Sequence, residues 1–172
     1  MTNKKKSHLL VNAALACWLC AISATAVALK AGDPVPRLLD PSRPDIDDLL
    51  AQHVGKVVYV DFWASWCGPC RRAVPALNEL YQQFQGDGFE VIAVNVDEDA
   101  ADMNHFLQRY PISYANIADP QGFNAEQFQV QAMPTGFLID RKGHVVVKHT
   151  GFLKNDKAKL QAAIRLLLSK SN

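Results

Sequence analysis

Two cysteines separated by two residues are the clearest chemical feature of this chain. Cys67 and Cys70 lie in the sequence Trp-Cys-Gly-Pro-Cys, between an apolar run over Val57–Trp63 and a segment with helical periodicity. A Cys-x-x-Cys pair between a strand and a helix is typical of a dithiol that opens and closes a disulfide. The positive end of the helix dipole favours the thiolate of the first cysteine, which is the form that attacks.

Half of a zinc site is the alternative interpretation of the same pair. Structural zinc takes four ligands, and no second Cys-x-x-Cys or paired-histidine motif accompanies this one. Acidic residues at the start of a predicted helix usually serve its dipole rather than a cation, and we expect this of Asp97, Glu98, Asp99 and Asp102. The sequence therefore predicts no metal site, and it implies no organic cofactor.

The length and composition predict one globular domain with an N-terminal appendage. The chain has 172 residues, of which 49% are hydrophobic and 9% aromatic, as is ordinary for a globular protein. A formal net charge of +1 is too small to indicate nucleic-acid binding. We expect a single domain over residues 29–172 that acts as a monomer.

Residues 1–28 have the pattern of a secretory signal peptide. Lys4–Lys6 precede an apolar run over Leu9–Leu29, and the small residues over 24–28 fit a cleavage site. An uncleaved membrane anchor is the alternative, because the run is almost long enough to span a bilayer. Removal of the segment would change the net charge from +1 to −2 and leave only the two motif cysteines. We expect the protein in the periplasm or anchored at the outer face of the inner membrane.

Hydrophobic periodicity predicts an alternation of strands and helices after a proline-rich lead-in with a short strand near Leu38 and Leu39. The predicted helices are Asp45–His53, Cys67–Phe84 (with a kink at Pro75), Asp99–Tyr110, Gly122–Gln129 and Asn155–Leu168, the last capped by Asn155. The predicted strands are Val57–Trp63, Phe89–Val96, Tyr114–Ile117, Thr135–Asp140 and His144–Thr150. This order predicts an α/β fold with a mixed central sheet and helices on both faces.

The motif resembles that of thioredoxin-fold proteins, and the wider layout resembles the exported TlpA/ResA-like thiol-disulfide reductases. The shared features are Met133-Pro134-Thr135 ahead of a strand, Gly32 and Pro36 in the lead-in, and Gly-Lys-Val-Val before the first strand. An added strand-helix insert near residues 99–120 also matches. The resemblance implies a thioredoxin fold with an N-terminal extension and this insert.

The resemblance also implies a role for each site residue. Cys67 is expected to be the nucleophile and Cys70 the resolving thiol. Asp61 matches a buried carboxylate that takes the proton from Cys70. A cis-proline is expected to face the dithiol, so that the neighbouring backbone pairs with an extended substrate. The expected substrate-binding residues are Trp66, Gly68, Pro69, Met133, Pro134 and Gly151.

Partners follow from the expected compartment. An oxidising environment requires that a reductant be recharged, and the resemblance suggests a membrane electron donor of the DsbD or CcdA type. The expected substrates are proteins with disulfides. Ala73 replaces a glutamate that ResA-like reductases of cytochrome c maturation often carry, and Ala93 replaces a lysine of thioredoxins. Both differences favour a broader reductase.

Three alternatives use the same residues differently. The chain could form disulfides as an oxidase, or hold a soft metal in its dithiol without catalysis. A peroxidase-like redoxin is disfavoured, because no cysteine lies in a Thr-x-x-Cys setting. The Gly-Pro dipeptide between the cysteines favours a reductant, since in thioredoxins it accompanies a potential of about −270 mV.

Overall fold

Residues 29–170, which the computed structural model describes, contain a five-stranded mixed sheet. The strand order is β3-β2-β1-β4-β5. Strands β1, β2 and β3 are parallel to one another, and β4 is antiparallel to both of its neighbours, β1 and β5. The strands are β1 (Val57–Trp63), β2 (Phe89–Asn95), β3 (Ala115–Ala118), β4 (Thr135–Ile139) and β5 (Val145–Thr150). This arrangement confirms the predicted fold class. The predicted signal peptide or anchor over residues 1–28 lies outside the described residues.

Helices cover both faces of the sheet. They are α1 (Cys70–Phe84), α2 (Ala100–Arg109), α3 (Phe123–Gln127) and α4 (Asp156–Leu168). All seven residues of β1 are buried, as expected of a strand covered on both sides. Its odd-numbered residues face α1 and α4, and its even-numbered residues face the lead-in and α3. Within residues 29–170, no helix has the length and apolar character needed to cross a bilayer.

The predicted helix over Asp45–His53 and the strand near Leu38 are wrong. Only Leu50–His53 are helical, in one 3-10 turn. The carboxylate of Asp48 accepts hydrogen bonds from the backbone N–H groups of Leu38 and Leu50 at 3.0 Å each. Because that side chain satisfies backbone groups of both segments, neither needs regular structure there.

The lead-in covers the start of the edge strand β5. The N–H groups of Gly32 and Val35 donate to the carbonyls of Val145 and Gly143 at 2.8 and 2.9 Å. The N–H of Val145 returns a bond to Asp33 at 2.9 Å. The opposite edge is β3, which has only four residues. Neither edge of the sheet is therefore a long open strand.

The position of α4 was predicted correctly, but its cap was not. Asn155 precedes the helix with φ −96° and ψ 0°, and its side chain makes no capping bond. The carboxylate of Asp156 instead accepts from the backbone N–H of Leu153 at 2.6 Å. Since Asn155 is already close to helical conformation, its side chain is not aimed at the helix end.

Gly136 lies in the middle of the sheet, where a side chain has no room. A Cβ atom at this position would overlap the ring and hydroxyl of Tyr59, which is 1% exposed. We expect Gly136→Ala to lower the free energy of unfolding by about 3 kcal/mol, because the buried ring cannot move aside. Urea denaturation measures this change.

Gly86→Ala is the matched control for that substitution. Gly86 is exposed, and nothing lies within 4 Å of the Cβ it would gain. We expect its unfolding free energy to change by less than about 1 kcal/mol. Equal effects of the two substitutions would show that Tyr59 does not restrict Gly136.

Candidate redox-active site

Cys67 and Cys70 are joined by a disulfide between the end of β1 and the start of α1. Their Cα atoms are 5.3 Å apart, within the range that a disulfide requires. Cys67 is 4% exposed and Cys70 is 0% exposed. The sulfur of Cys67 is therefore the nearer one to the surface, which favours it as the attacking thiol.

The helix after the disulfide begins three residues later than predicted. Residues 67–69 form a turn, and the N–H of Arg71 donates back to the carbonyl of Gly68 at 3.3 Å. The helix α1 begins at Cys70 and continues through Pro75. The N–H of Cys70 is directed at Sγ of Cys67, 3.3 Å away. Cys67 consequently lies directly in front of the helix N-terminus, where backbone N–H groups stabilise a thiolate.

Asp97 holds the loop before the dithiol, a role that sequence reasoning missed. Its buried carboxylate accepts hydrogen bonds from the N–H of Ser65, at 3.0 and 3.1 Å, and from the Ser65 hydroxyl at 3.0 Å. The side chain of Asn95 donates to it as well, at 2.8 Å. Asp99, rather than Asp97, caps α2. No local pattern reveals this role, because Asp97 and Ser65 are 32 positions apart.

Metal ligands do not cluster in the described part of the chain. Among residues 29–170, no group of three or more His, Cys, Asp or Glu side chains is arranged to hold a metal ion. Two of the acidic residues considered for a cation instead accept hydrogen bonds from the protein itself, Asp97 from Ser65 and Asp99 from the N–H of Ala101.

Asp61 is buried on the face of β1 that points towards α1. It is 1% exposed, and its Oδ2 atom has no hydrogen-bond partner in the described part of the chain. Burial raises its pKa to about 8. Ala93 is its neighbour on β2, as predicted, so no lysine offsets this effect from that position. At neutral pH the carboxyl group is therefore mostly protonated, and only its ionised fraction, which grows as the pH approaches 8, can accept a proton.

Two buried tyrosines surround Asp61. Burial raises the pKa of Tyr59 and of Tyr114, and the charge of Asp61 raises both further. The sequence contains one signal of the close contact between Tyr59 and β4. This signal is Gly136, a glycine inside an apolar strand. We had assigned neither tyrosine to the site.

Met133 and Pro134 lie beside the end of β1. Thr135 pairs with Phe62, so the residues just before β4 lie next to the start of the dithiol loop. The peptide bond between Met133 and Pro134 is cis, as the resemblance implied. Pro134 is buried, and its carbonyl accepts from the N–H of Gly151 at 2.8 Å. The backbone N–H and C=O of Met133 have no partner among residues 29–170.

Trp66 is exposed beside the disulfide, whereas Trp63 is buried beneath it. Trp66 is 68% exposed and lines a cavity of about 280 Å³ together with Arg71, His105 and Arg109. Trp63 packs against Phe106, with ring centroids 4.7 Å apart and the ring planes tilted by 46°. Trp66 is thus available to a docking protein and Trp63 is part of the core.

Known proteins that are similar to most of this chain include thiol-disulfide oxidoreductases. The Redoxin family profile matches residues 30–164. A thiol-disulfide oxidoreductase ResA of Geobacillus thermodenitrificans is 34% identical over 135 residues, which cover 78% of this chain and 76% of the relative.

Solved structures with a similar fold include further thiol-disulfide exchange proteins. A crystal structure described as thiol:disulfide interchange protein DsbE of Chlorobium tepidum is 38% identical, with a TM-score of 0.75. The match covers 83% of this chain and all of that one. A solution structure described as a protein disulfide isomerase of Bacteroides thetaiotaomicron is 24% identical with a TM-score of 0.72, and covers 83% and 92% of the two chains. At that identity it supports the fold alone.

Proposed function

This chain belongs to the Redoxin family and is a TlpA/ResA-like thiol-disulfide oxidoreductase, and we propose that it acts outside the cytoplasm as a reductant of disulfides in proteins. The observation that carries this proposal is the Cys67–Cys70 disulfide in front of a helix N-terminus. The signal-like pattern over residues 1–28 supports export.

The reaction exchanges one disulfide for another. The thiolate of Cys67 attacks a sulfur of the substrate disulfide, and the other substrate sulfur leaves as a thiolate. Cys70 then attacks Sγ of Cys67, which releases the second substrate sulfur. Two electrons have passed to the substrate, and the chain is left in the oxidised form.

Asp61 serves as the proton acceptor of the resolving step. Cys70 is fully buried, so water cannot take its proton directly. The buried carboxylate lies on the sheet face that packs against Cys70, and an ionised Asp61 has an oxygen with no other partner. A base whose pKa is about 8 is well matched to a thiol of ordinary pKa near 8.5.

The substrate docks as an extended segment across the disulfide. The unpaired backbone N–H and C=O of Met133 are available to pair with it, as in strand addition. Pro134 holds that segment beside the end of β1, and Gly151 leaves it room. Trp66, with Gly68 and Pro69 in the turn, supplies the exposed surface on the other side.

Continued turnover requires an electron donor. In an oxidising compartment the Cys67–Cys70 disulfide must be reduced again after each cycle. A membrane protein of the DsbD or CcdA type would supply these electrons, while the chain itself works as a monomer. The absence of a glutamate at Ala73 favours a broad set of substrates over one dedicated to cytochrome c maturation.

The reduction potential tests the direction of the reaction. We expect a value at or below about −250 mV for the purified chain equilibrated with glutathione, as for reductants of this fold. Added to insulin and dithiothreitol, the chain should speed insulin reduction. A value above about −150 mV would instead identify a disulfide-forming oxidase.

A second measurement separates catalysis from metal handling. Stoichiometric retention of Cu(I) by the reduced chain, together with no insulin reduction, would contradict the proposal and indicate a dithiol metal-binding protein.

A further inference from the structure

Two buried polar atoms that have no hydrogen-bond partner among residues 29–170 lie on the same face of the sheet. One is Oδ2 of Asp61 on β1, and the other is Nε2 of His149 on β5. Gly136 on β4 lies opposite both residues in the strand register. Residues opposite one another across a sheet point to the same face, which here is the face covered by α1 and α4.

The hydroxyl of Tyr59 lies between these two residues. It occupies the space that a side chain at Gly136 would fill. Burial raises the pKa of Tyr59, and the charges of Asp61 and Asp156 raise it further. One hydroxyl is therefore within electrostatic reach of both carboxylates. Asp61, Tyr59 and His149 thus form a row of polar groups across this face, although Oδ2 of Asp61 and Nε2 of His149 are not hydrogen-bonded to the Tyr59 hydroxyl within residues 29–170. A phenol can accept one hydrogen bond while it donates another, so Tyr59 has the chemistry to pass a proton once the row closes.

The far end of the row reaches solvent at His149. Its side chain is 17% exposed, and its Nε2 lies 3.3 Å from Oδ2 of Asp156. Hydrogen bonds from the N–H of Leu153 and from Lys159 hold the pKa of Asp156 below its usual range. That carboxylate is therefore ionised at neutral pH. Imidazole is the side chain best suited to exchange protons with water at neutral pH.

The other sides of Asp61 offer no comparable exit. Its neighbour on β2 is Ala93. Tyr114 is the remaining titratable group near it, and that hydroxyl already donates to the carbonyl of Val74 at 3.4 Å. The strand register and the position of the Tyr59 ring over Gly136 place Tyr59 and then His149 on the β5 side of Asp61.

We propose that His149, acting through Tyr59, carries to water the proton that Asp61 takes from Cys70, an inference that rests on the proposed function. As Cys70 gives its proton to Asp61, its sulfur forms the bond to Cys67, and the bond between Cys67 and the substrate breaks with its electron pair on the substrate thiolate. Asp61 then passes the proton to the hydroxyl of Tyr59 while Tyr59 passes its own to the imidazole of His149. The imidazolium loses a proton to water, and all three relay groups return to their starting state.

The test compares His149→Ala with the matched change His144→Ala. His144 lies just before β5 and is exposed, with Asp140 as its only charged neighbour in the described structure. In single-turnover reduction of a peptide disulfide at pH 7, we expect His149→Ala to release the reduced peptide about tenfold more slowly than the unchanged chain. His144→Ala should match the unchanged chain.

Imidazole distinguishes a relay from a structural role. Removal of the partly exposed ring opens a path from solvent, so added imidazole should restore most of the lost rate in His149→Ala. A purely structural defect would not respond to it. Tyr59→Phe interrupts the row without opening that path, and we expect a similar loss of about tenfold that imidazole does not restore.

Tyr59→Phe also keeps the test decisive if His149→Ala fails to fold, because it removes a single oxygen. Rates equal to that of the unchanged chain in both variants would overturn the relay and leave disulfide reduction standing. If the unchanged chain itself does not reduce the peptide, the proposed function and the relay both fail.

Discussion

Replacing Cys70 with serine is expected to stop the reaction at the mixed disulfide between Cys67 and the substrate. Cys67 can still attack, because its thiolate is stabilised by the helix N-terminus and by the N–H of residue 70, 3.3 Å from its sulfur. The second step has lost its nucleophile, so the adduct accumulates. We expect steady-state turnover to fall by more than about 1000-fold.

The adduct is measured by non-reducing electrophoresis and intact mass, with Cys67→Ser as the control. That variant should form no stable adduct, because Cys70 is fully buried and cannot reach a substrate. Cys17 and Cys20, where present, react alike in the two variants, so the difference between them carries the test. Adducts on Cys67→Ser and none on Cys70→Ser would reverse the assigned roles.

Replacing Asp61 with asparagine is expected to stabilise the folded protein at neutral pH. Burial raises the pKa of Asp61 to about 8, while an unfolded aspartate titrates near 3.9. Between these values the folded chain binds one more proton than the unfolded chain, so stability falls by about 1.4 kcal/mol for each pH unit gained. At pH 7 this amounts to as much as about 4 kcal/mol, most of which Asp61→Asn would return.

Urea denaturation from pH 4 to pH 9 measures the effect, with Asp87→Asn at an exposed position as the control. The advantage of Asp61→Asn should be absent near pH 4, grow as the pH rises, and level off above about pH 8. The same variant should reduce disulfides more slowly, because Cys70 loses its proton acceptor. A variant less stable than the unchanged chain at pH 7 would contradict the burial of an unpaired carboxyl group.

The parts of the fold that were predicted correctly depend on local patterns. The apolar run over Val57–Trp63 predicts a strand covered on both faces, and all seven residues of β1 are buried in the structure. The helical face that contains Leu77 and Leu80 packs on the sheet as its spacing indicates. The Cys-x-x-Cys spacing predicted the dithiol, and the family resemblance added the cis bond before Pro134.

The parts that were missed depend on side chains that reach across the sequence. Asp48 satisfies the N–H of Leu38 ten positions away, which removes the need for the predicted strand and helix. Asp97 anchors Ser65 from 32 positions away. The contact between Tyr59 and Gly136 becomes visible only once β1 and β4 are paired. Periodicity reports which face a residue occupies, but not which distant group it bonds.

The short and covered edges of the sheet limit what an unfolded polypeptide can do on this surface. Exposed edge strands are templates on which other chains add and aggregate, and a reductant that acts on unfolded substrates would meet such chains often. Here β3 has only four residues, and the lead-in occupies the start of β5. The free backbone groups of Met133 lie next to the disulfide instead. A substrate that docks as proposed would thus be held by a brief contact at the reacting sulfur, and that contact would not extend into a growing stack of strands.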